Sequence, residues 1–328
     1  MKAMILAAGF GTRLFPLTID RTKPAIPFLG KPLVGYVAQY LATYGFNDIV
    51  VNLHHEPDSV RRALGDGSDF GVNIRYSVEE PAILGTAGAL DHAREMLDGE
   101  TFLVVNGKII TDIDLAKAIE SHRRSGAIAT MVLLPNRSFE RFTVVETEDG
   151  RVTGFGDMAD QTAADDRDTA KPPLMFTGIQ ILEPQVFDYI PRGVYSDIVP
   201  TFYNPAIAAG ENINAYVAEG RWFELSTIPR YLDISLNMLN GQDVCIGRDC
   251  RIDSNSSVRN SVIWDNVSVN AGARLERTIV ADGVDIPAGR EYINAAIVRA
   301  DMIRRAGTPP EKASPGYFDD LNYIVPLG

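Results

Sequence analysis

The sequence predicts an α/β protein in which a doubly wound mixed sheet is followed by a short left-handed parallel β-helix. Over residues 1–115, short apolar runs alternate with amphipathic segments, which is typical of strands joined by helices. After Gly241, aliphatic residues recur six positions apart at Ile246, Ile252 and Val258, and each is followed by small or polar residues. A six-residue period with inward aliphatic side chains indicates a β-helix.

Apolar runs and helical spacing predict the elements of the sheet region in order. Residues 3–6 form a short apolar run and predict a buried first strand, and the apolar spacing over 32–44 predicts a helix that stops at Gly45. Further strands are predicted at 48–53, 72–78, 101–105, 128–134, 142–146, 174–182 and 216–223. Further helices are predicted at 58–64, 88–97, 185–190 and 228–240, and the polar stretch 156–173 predicts a long loop.

The change of pattern near residue 241 predicts the domain boundaries. Residues 1–240 are expected to form the α/β domain, 241–300 the hexapeptide-repeat β-helix, and 301–328 an extended tail that contains four prolines. Inside the β-helix the repeat continues less regularly at Val262, Val267, Ala273, Ile279 and Val284. Because a short β-helix exposes edges that invite pairing, we expect a homo-oligomer that uses residues 241–328.

Composition excludes several classes of function. The chain has 328 residues and a formal net charge of −12, which argues against nucleic acid or an anionic membrane as a main partner. Two cysteines, Cys245 and Cys250, cannot build a disulfide framework, and no zinc pattern is present. No apolar run reaches the ~20 residues that a membrane span needs. Gly9, Gly11 and Arg13 interrupt the apolar start, so we interpret it as a strand rather than a signal peptide, and the expected compartment is the cytoplasm.

The turn after the first strand has the composition of a phosphate-binding loop. Residues 6–13 read Leu-Ala-Ala-Gly-Phe-Gly-Thr-Arg, and Lys23 follows ten residues later. Small residues let a backbone approach a ligand closely, and converging N–H groups can bind phosphate oxygens. Arg13 and Lys23 supply cations for the same phosphates. An ordinary strand-to-helix turn explains the glycines but not the string Thr12-Arg13-Leu14-Phe15-Pro16-Leu17-Thr18 with Lys23-Pro24.

This string resembles the signature of the sugar-1-phosphate nucleotidylyltransferases (NDP-sugar pyrophosphorylases), written G-x-G-T-R-L-x-P-L-T…K-P. The motifs are most similar to mannose-1-phosphate guanylyltransferases and glucose-1-phosphate nucleotidyltransferase-like proteins with a C-terminal hexapeptide domain. The resemblance implies the nucleotide-diphospho-sugar transferase fold, with a Rossmann-like sheet. It also implies a reaction in which an NTP and a sugar 1-phosphate give an NDP-sugar and pyrophosphate.

The resemblance also implies site residues. Residues 80–90 resemble the motif E-x-x-x-L-G-T-A-G-A-L, which lies by the base and sugar in the family. The implied nucleotide-binding set is Leu6, Ala7, Ala8, Gly9, Gly11, Thr12, Arg13, Glu80, Gly85 and Thr86, with Arg13 and Lys23 as catalytic residues. The implied sugar-binding set is Asn106, Gly107, Thr143 and Gly178.

Four motifs depart from the family pattern. The resemblance implies Mg²⁺ held by two aspartates, but these positions carry Lys108 and Glu224. Thr143 stands where the family has a glycine in its sugar site. Asp157 and Met158 stand where the family motif F-x-E-K-P has Glu and Lys. An ammonium repels the cation that an aspartate attracts, which argues against Mg²⁺ here, and we expect Lys108 to lie close to Glu224. Asp112 or Asp114 would be the alternative ligands.

The departures leave two functions open. The first is a working nucleotidylyltransferase, of guanylyl and mannose type or a relative. The second is a catalytically impaired paralogue that binds a nucleotide sugar and regulates a partner, such as an active paralogue. A β-helix acyltransferase is disfavoured, because no histidine follows residue 240.

Overall fold

The computed structural model describes residues 1–138, 140, 142–156 and 172–327. The described chain packs as two compact units that alternate along the sequence. The first unit contains residues 1–8, 37–55 and 64–222, and the second contains residues 9–36, 56–63 and 223–328. Within the described residues, no helix combines the length and the apolar character needed to cross a bilayer.

Strands joined by helices make up most of the chain to residue 125, as the sequence predicts for residues 1–115, with consecutive strands in two places and one pair of consecutive α-helices. The elements are β1 (Lys2–Leu6), β2 (Pro27–Phe28), β3 (Lys31–Pro32), α1 (Leu33–Thr43), β4 (Asp48–Leu53), α2 (Pro57–Leu64), β5 (Asn73–Val78), α3 (Gly85–His92), α4 (Arg94–Leu97), β6 (Phe102–Asn106), β7 (Ile109–Thr111) and α5 (Leu115–Ser125).

The next region is richer in strand. It contains β8 (Ala129–Pro135), β9 (Val144–Glu148), β10 (Arg151–Gly156), β11 (Leu174–Leu182), α6 (Asn204–Ala208), β12 (Ile213–Val217), β13 (Trp222–Glu224) and α7 (Ile228–Met238). A 3₁₀ helix covers Pro184–Asp188, and a π-helical turn covers Val199–Tyr203.

A single mixed sheet forms the centre of the first unit. Its described strands follow the order β5-β4-β1-β6-β11-β8-β12-β10-β9. The first four are mutually parallel, β11 is antiparallel to both neighbours, and β9 and β10 form an antiparallel hairpin. The predicted mixed sheet is confirmed: its first four strands are parallel, whereas the other strands pair antiparallel except for β8 with β12. Asp149-Gly150, both with positive φ, form the tight turn of the β9–β10 hairpin.

Apolar strands place one continuous core against this sheet. Ala129, Met131 and Leu133 alternate on one face of β8 and pack with Phe102 and Phe202. All five side chains are fully buried. Burial of a Leu, Met or Phe side chain stabilises by about 1.5–3 kcal/mol, so this core contributes strongly to holding the sheet.

The carboxyl-terminal region forms parallel coils. The elements are β14 (Val244–Ile246), β15 (Arg251–Ile252), β16 (Ser257–Arg259), β17 (Ser261–Ile263), β18 (Ser268–Val269), β19 (Arg274–Val280), β20 (Asp285–Ile286), β21 (Glu291–Arg299), α8 (Ala300–Ala306), β22 (Tyr317–Asp319) and β23 (Asn322–Pro326). Val262 pairs with Ile279, and Ile279 with Ala296, so successive coils are offset by 17 residues. This is close to three six-residue segments and confirms a β-helix-like hexapeptide region.

The repeat residues differ in burial along the stack. Val262, Val267, Ala273, Ile279 and Val284 are buried, as predicted. Ile246 is not, since 51% of it is exposed. It lies in β14, the terminal strand of its sheet, and therefore has a neighbouring strand on only one side.

Several element boundaries were predicted wrongly. The single helix expected at 88–97 is two helices that start at Gly85 and break at Ala93. The strand expected at 216–223 is interrupted, because Gly220 has a φ of +124° that a strand does not accommodate. Residues 301–328 are not simply extended, since they contain most of α8 and the β22–β23 hairpin. The loop predicted at 156–173 falls largely outside the described residues.

Candidate functional site

Four parallel strands of the first unit end at one edge of the sheet. Leu6 at the end of β1 pairs with Asn52 in β4 and with Asn106 in β6, and Leu53 pairs with Val78 in β5. Ligands of open α/β sheets bind beyond the carboxyl ends of the strands. The residues that follow these strands are therefore the candidates for ligand contact.

A chain of buried hydrogen bonds joins three of these strand ends. The Ala7 N–H donates to Asn52 Oδ1 (2.7 Å), Asn52 Nδ2 donates to Glu79 Oε1 (2.7 Å), and the Leu84 N–H donates to Glu79 Oε2 (2.7 Å). Asn52 is 3% exposed and Glu79 is fully buried. The motifs in the sequence pointed to neither residue and selected Glu80, which is exposed. A polar residue inside the apolar run 48–53 was the available signal.

The start of α3 carries Gly85 and Thr86. The Thr86 N–H and hydroxyl both donate to Asp197 Oδ1 (3.2 Å each), and the Thr86 hydroxyl accepts from the Ile198 N–H (2.8 Å). A Cβ on Gly85 would lie 2.6 Å from the Ser196 carbonyl oxygen. Segment 196–198 thus binds the turn from inside the protein and occupies both donors of Thr86. Asp197 was also missed from the sequence.

The predicted sugar-site residues Asn106 and Gly178 lie together. Gly178 has a φ of +78°, and a Cβ there would collide with the Asn106 side-chain amide. The Gly107 N–H donates to the Leu6 carbonyl (2.9 Å), and a Cβ on Gly107 would lie 2.9 Å from Ile5 Cγ2. Both glycines are therefore required by close packing. Thr143 is exposed and precedes β9. Its predicted companions Asp157 and Met158 lie outside the described residues.

In the second unit, the glycine-rich turn packs on Lys23. Gly11 has a φ of +65°, and a Cβ there would lie 2.8 Å from Lys23 Cβ. The space beside Gly9 is open. Thr12–Leu14 is a 3₁₀ turn that presents Arg13 at the surface. No ion pair of Arg13 occurs in the part of the chain that the structure describes.

Lys23 lies beside Glu224 in the same unit. Its Nζ is 3.9 Å from Glu224 Oε1, and the two residues are 7% and 8% exposed. Arg230 Nε donates to the Glu224 carbonyl oxygen (2.7 Å). One of the two predicted cations is thus next to the carboxylate at a family metal position. Lys108 is half-buried in the turn between β6 and β7, and its proximity to Glu224 stays a prediction.

The carboxylates near the family's metal positions are already engaged. Arg221 donates to Asp112 through its N–H and through Nε (2.7 Å to Oδ2). Partial burial opposes the charge of Asp112, but the bonds from Arg221 outweigh it and hold its pKa below the ordinary value. Asp114 caps α5 by accepting from the Ala116 and Lys117 N–H groups.

Among the described residues, no group of three or more His, Cys, Asp or Glu side chains could hold a metal ion. A divalent cation prefers several oxygen ligands. Within the described ranges, Lys108 offers no oxygen ligand and Glu224 lies beside the Lys23 ammonium, so these two residues do not fit the chelation of Mg²⁺ that the family's aspartates provide.

Comparisons with known proteins agree with these motifs. Residues 2–241 match the family described as Nucleotidyl transferase, and residues 240–293 match GlmU-like, C-terminal hexapeptide. A UTP–glucose-1-phosphate uridylyltransferase of Synechocystis is 32% identical over 87% of this chain and 76% of its own length. Mannose-1-phosphate guanylyltransferase 1 of Arabidopsis thaliana is 30% identical over 87% of this chain and 82% of its own length.

A solved structure shows the same fold. It comes from Bacillus anthracis, is described as a glucose-1-phosphate thymidylyltransferase, and is 23% identical with a TM-score of 0.61. The likeness covers 74% of this chain and 96% of that one. The chain therefore belongs to the nucleotidyl transferase family, with a GlmU-like hexapeptide region after the transferase part.

Proposed function

We propose that the protein is a sugar-1-phosphate nucleotidylyltransferase that makes an NDP-sugar. A phosphate oxygen of the sugar 1-phosphate attacks the α-phosphorus of the NTP, and a new P–O bond forms. The bond from that phosphorus to the oxygen bridging to the β-phosphorus breaks, and pyrophosphate leaves. The observation that carries the proposal is the whole-domain family match together with the glycine-rich turn at residues 7–13.

The chemistry asks the chain for positioning and charge rather than for a general base. A phosphate monoester is largely a dianion at pH 7, because its second pKa is about 6, so the nucleophile is already deprotonated. Two anions must meet, and fixed cations offset their repulsion. We assign this role to Arg13 and Lys23. The proposed reaction assigns no step to a metal ion held by the chain's carboxylates, although Mg²⁺ is the cofactor that the family implies.

The remaining site residues receive roles by their motifs. We propose that residues 6–9, 11 and 12 contact the nucleotide phosphates, and that Glu80, Gly85 and Thr86 face the base. Asp197 already accepts from both donors of Thr86. Contact with the base would therefore come from other accessible atoms of the Gly85-Thr86 turn. We assign the sugar to Asn106, Gly107, Thr143 and Gly178.

Guanylyl transfer to mannose 1-phosphate is the proposed reaction type. Support comes from the Leu84-Gly85-Thr86 form of the second motif and from relatives named mannose-1-phosphate guanylyltransferase. The relatives also include uridylyltransferases, so uridylyl transfer is the first alternative to assay. The regulatory alternative has no support from these relatives, which carry transferase names.

A pyrophosphate-release assay tests the proposal. Each common NTP would be paired with mannose, glucose and N-acetylglucosamine 1-phosphates, with and without Mg²⁺. We expect release with at least one pair and the highest kcat/KM with GTP and mannose 1-phosphate. Nucleotide-sugar binding in calorimetry without pyrophosphate release from any pair would overturn the proposal in favour of the regulatory function.

Assembly, compartment and domain limits complete the proposal. We propose a homo-oligomer that uses residues 241–328, in the cytoplasm, where nucleoside triphosphates are available. The limits at residues 240 and 300 are proposed as the ends of the transferase domain and of the β-helix.

A further inference from the structure

Glu79 is a buried carboxylate that the proposed chemistry does not use. It is fully buried, and its two carboxylate oxygens accept hydrogen bonds from the Asn52 amide and from the Leu84 N–H. Burial of a charge is costly unless hydrogen bonds satisfy it. The role of this buried carboxylate at the end of β5 is therefore to be sought in the two groups that donate hydrogen bonds to it.

The bonds of Glu79 connect two turns that are distant in sequence. Ala7 begins the glycine-rich turn, and Leu84 immediately precedes the Gly85-Thr86 turn. Both backbone N–H groups point into the same chain of bonds, one through Asn52 and one directly. The spacing of the Ala7 and Leu84 backbones therefore depends on a bridge of two side chains at the carboxyl edge of the sheet.

The identity of these side chains follows from counting donors and acceptors. Each end of the bridge is a backbone N–H, which can only donate. An amide offers one donating and one accepting end, and a carboxylate accepts at both ends. Ala7 therefore fixes the orientation of the Asn52 amide, with Oδ1 toward Ala7 and Nδ2 toward Glu79. One amide and one carboxylate allow all three hydrogen bonds of the bridge to form, whereas two amides or two carboxylates leave one of the three unformed.

We propose that Glu79 and Asn52 are positioning residues that set the separation of the Ala7 backbone, where the glycine-rich turn begins, from the Leu84 backbone, where the Gly85-Thr86 turn begins. This inference rests on the proposed function, since it assigns those turns to the two ends of one nucleotide. Neither side chain needs to touch the substrate. They act through the backbone at Ala7 and Leu84, and a change in their bonding alters the fit of the NTP more than that of the sugar 1-phosphate.

Single substitutions break the bridge without changing its size. In Glu79→Gln, two donors face each other at one of the three hydrogen-bond positions, whichever way the two amides are oriented. In Asn52→Asp, two carboxylate oxygens face each other between positions 52 and 79. For each variant we expect the KM for the NTP to rise about 10-fold or more, while the KM for sugar 1-phosphate changes less than about 3-fold.

The double variant Asn52→Asp/Glu79→Gln allows all three hydrogen bonds of the bridge to form again. The carboxylate at position 52 then accepts from the Ala7 N–H and from the new amide at position 79, whose oxygen accepts from the Leu84 N–H. The total charge of the pair is unchanged. We expect the KM for the NTP to return to within about 3-fold of the unaltered protein. A double variant that is no better than the worse single variant would overturn the bridge, as would a Glu79→Gln protein with an unchanged KM.

Glu183→Gln is the matched control. Glu183 accepts from the Thr101 hydroxyl (2.7 Å) and contacts His122 Nε2 (2.9 Å). It follows β11, whose last residue pairs with Phe102 at the start of β6, so it lies at the opposite edge of the sheet. We expect lower thermal stability with an unchanged KM. If Glu79→Gln behaves in the same way, its role is only structural and the proposal is wrong.

Two readouts separate this inference from the proposed function. Pyrophosphate release by the unaltered protein tests the function itself. Hydrogen exchange at the Ala7 and Leu84 amides tests the bridge in all four proteins, even without turnover. We expect faster exchange at both amides, relative to the rest of the sheet, in the single variants and recovery in the double variant. Unchanged exchange in both single variants would refute the bridge, whatever the enzyme assay shows.

Discussion

At the scale of single residues, Gly178 is the position where backbone and packing constrain the candidate sugar site most. Its φ is +78°, and its missing Cβ leaves room for the Asn106 side chain. We predict that Gly178→Ala lowers the free energy of unfolding by about 2–4 kcal/mol, since left-handed strain costs about 1–2 kcal/mol and overpacking adds about 1–3 kcal/mol. Urea denaturation measures this change.

Gly193→Ala is the matched control for the packing contribution. Gly193 has a similar φ of +67°, but no atom lies within 4 Å of its missing Cβ. We expect a loss of about 1 kcal/mol from strain alone. Equal losses in the two variants would show that Asn106 moves freely out of the way.

Arg13 is an exposed cation beside the glycine-rich turn, with no ion pair among the described residues to hold it elsewhere. We predict that Arg13→Ala weakens NTP binding by about 1.5–3 kcal/mol, the range for a hydrogen bond to a charged group. Isothermal calorimetry with GTP and UTP measures it. Arg259→Ala, at an exposed position of the β-helix, is the control and should bind as before. An unaffected Arg13→Ala would remove Arg13 from the site.

Lys108 decides whether the chain itself can hold a divalent cation. We predict that Lys108→Asp creates measurable Mn²⁺ affinity, because it replaces a repelling ammonium by a ligand oxygen. Calorimetry and Mn²⁺ relaxation detect the ion without any turnover. Lys312→Asp adds the same charge at an exposed site of the tail and should not bind it. Tight Mn²⁺ binding by the unaltered protein would contradict the prediction and show that the donor set does fit a chelated cation.

At the scale of elements, the sequence predicted strands better than connections. Runs such as 48–53 and 174–182 are apolar because both faces of the strand are buried, so their limits were predicted correctly. The breaks at Ala93 and Gly220 depend on single backbone conformations, which periodicity does not report. The bridge of Asn52 and Glu79 was missed because it joins strands 27 residues apart, whereas motifs record neighbours in sequence.

The stacking of the coils gives a prediction for the β-helix as an element. Ile279 is fully buried and pairs with Val262 on one side and Ala296 on the other. We predict that Ile279→Ala lowers the free energy of unfolding by about 2–5 kcal/mol, the usual cost of removing a large buried side chain.

Ile246→Ala is the comparison at the end of the same stack. Because 51% of Ile246 is exposed, its truncation leaves little cavity, and we expect a change within about 0.5 kcal/mol. Thermal denaturation of both variants measures the difference. Equal destabilisation would mean that the end coil is covered in solution, which is also what an oligomer through this region would produce.

At the scale of the whole molecule, the compact units do not correspond to one cut in the sequence. Residues 9–36 and 56–63 belong to the same unit as residues 223–328. The Tyr231 hydroxyl, for example, donates to the Pro27 carbonyl oxygen across 204 positions. Periodicity and motifs describe local segments, so they do not predict a contact at this separation. The proposed limits at 240 and 300 follow the change in sequence pattern rather than these contacts.

The assembly of the whole molecule gives the last prediction, which concerns the edge strand β22. It is the terminal strand of the seven-stranded sheet that the described residues form in the second unit. Tyr317 and Phe318 in β22 are 53% and 49% exposed, and Leu321 in the turn that follows it is 67% exposed. An uncovered edge with apolar side chains favours pairing with another chain. We predict a dimer by light scattering at micromolar concentration.

The double variant Tyr317→Lys/Leu321→Lys should shift this dimer toward the monomer, because charges on an edge strand and on the turn beside it oppose pairing. Its control is Val217→Lys, which places one such charge on an exposed apolar residue of the first unit. We expect Val217→Lys to remain dimeric. The mass of a single chain at every concentration tested would refute the assembly, and equal dissociation in both variants would place the contact outside residues 241–328.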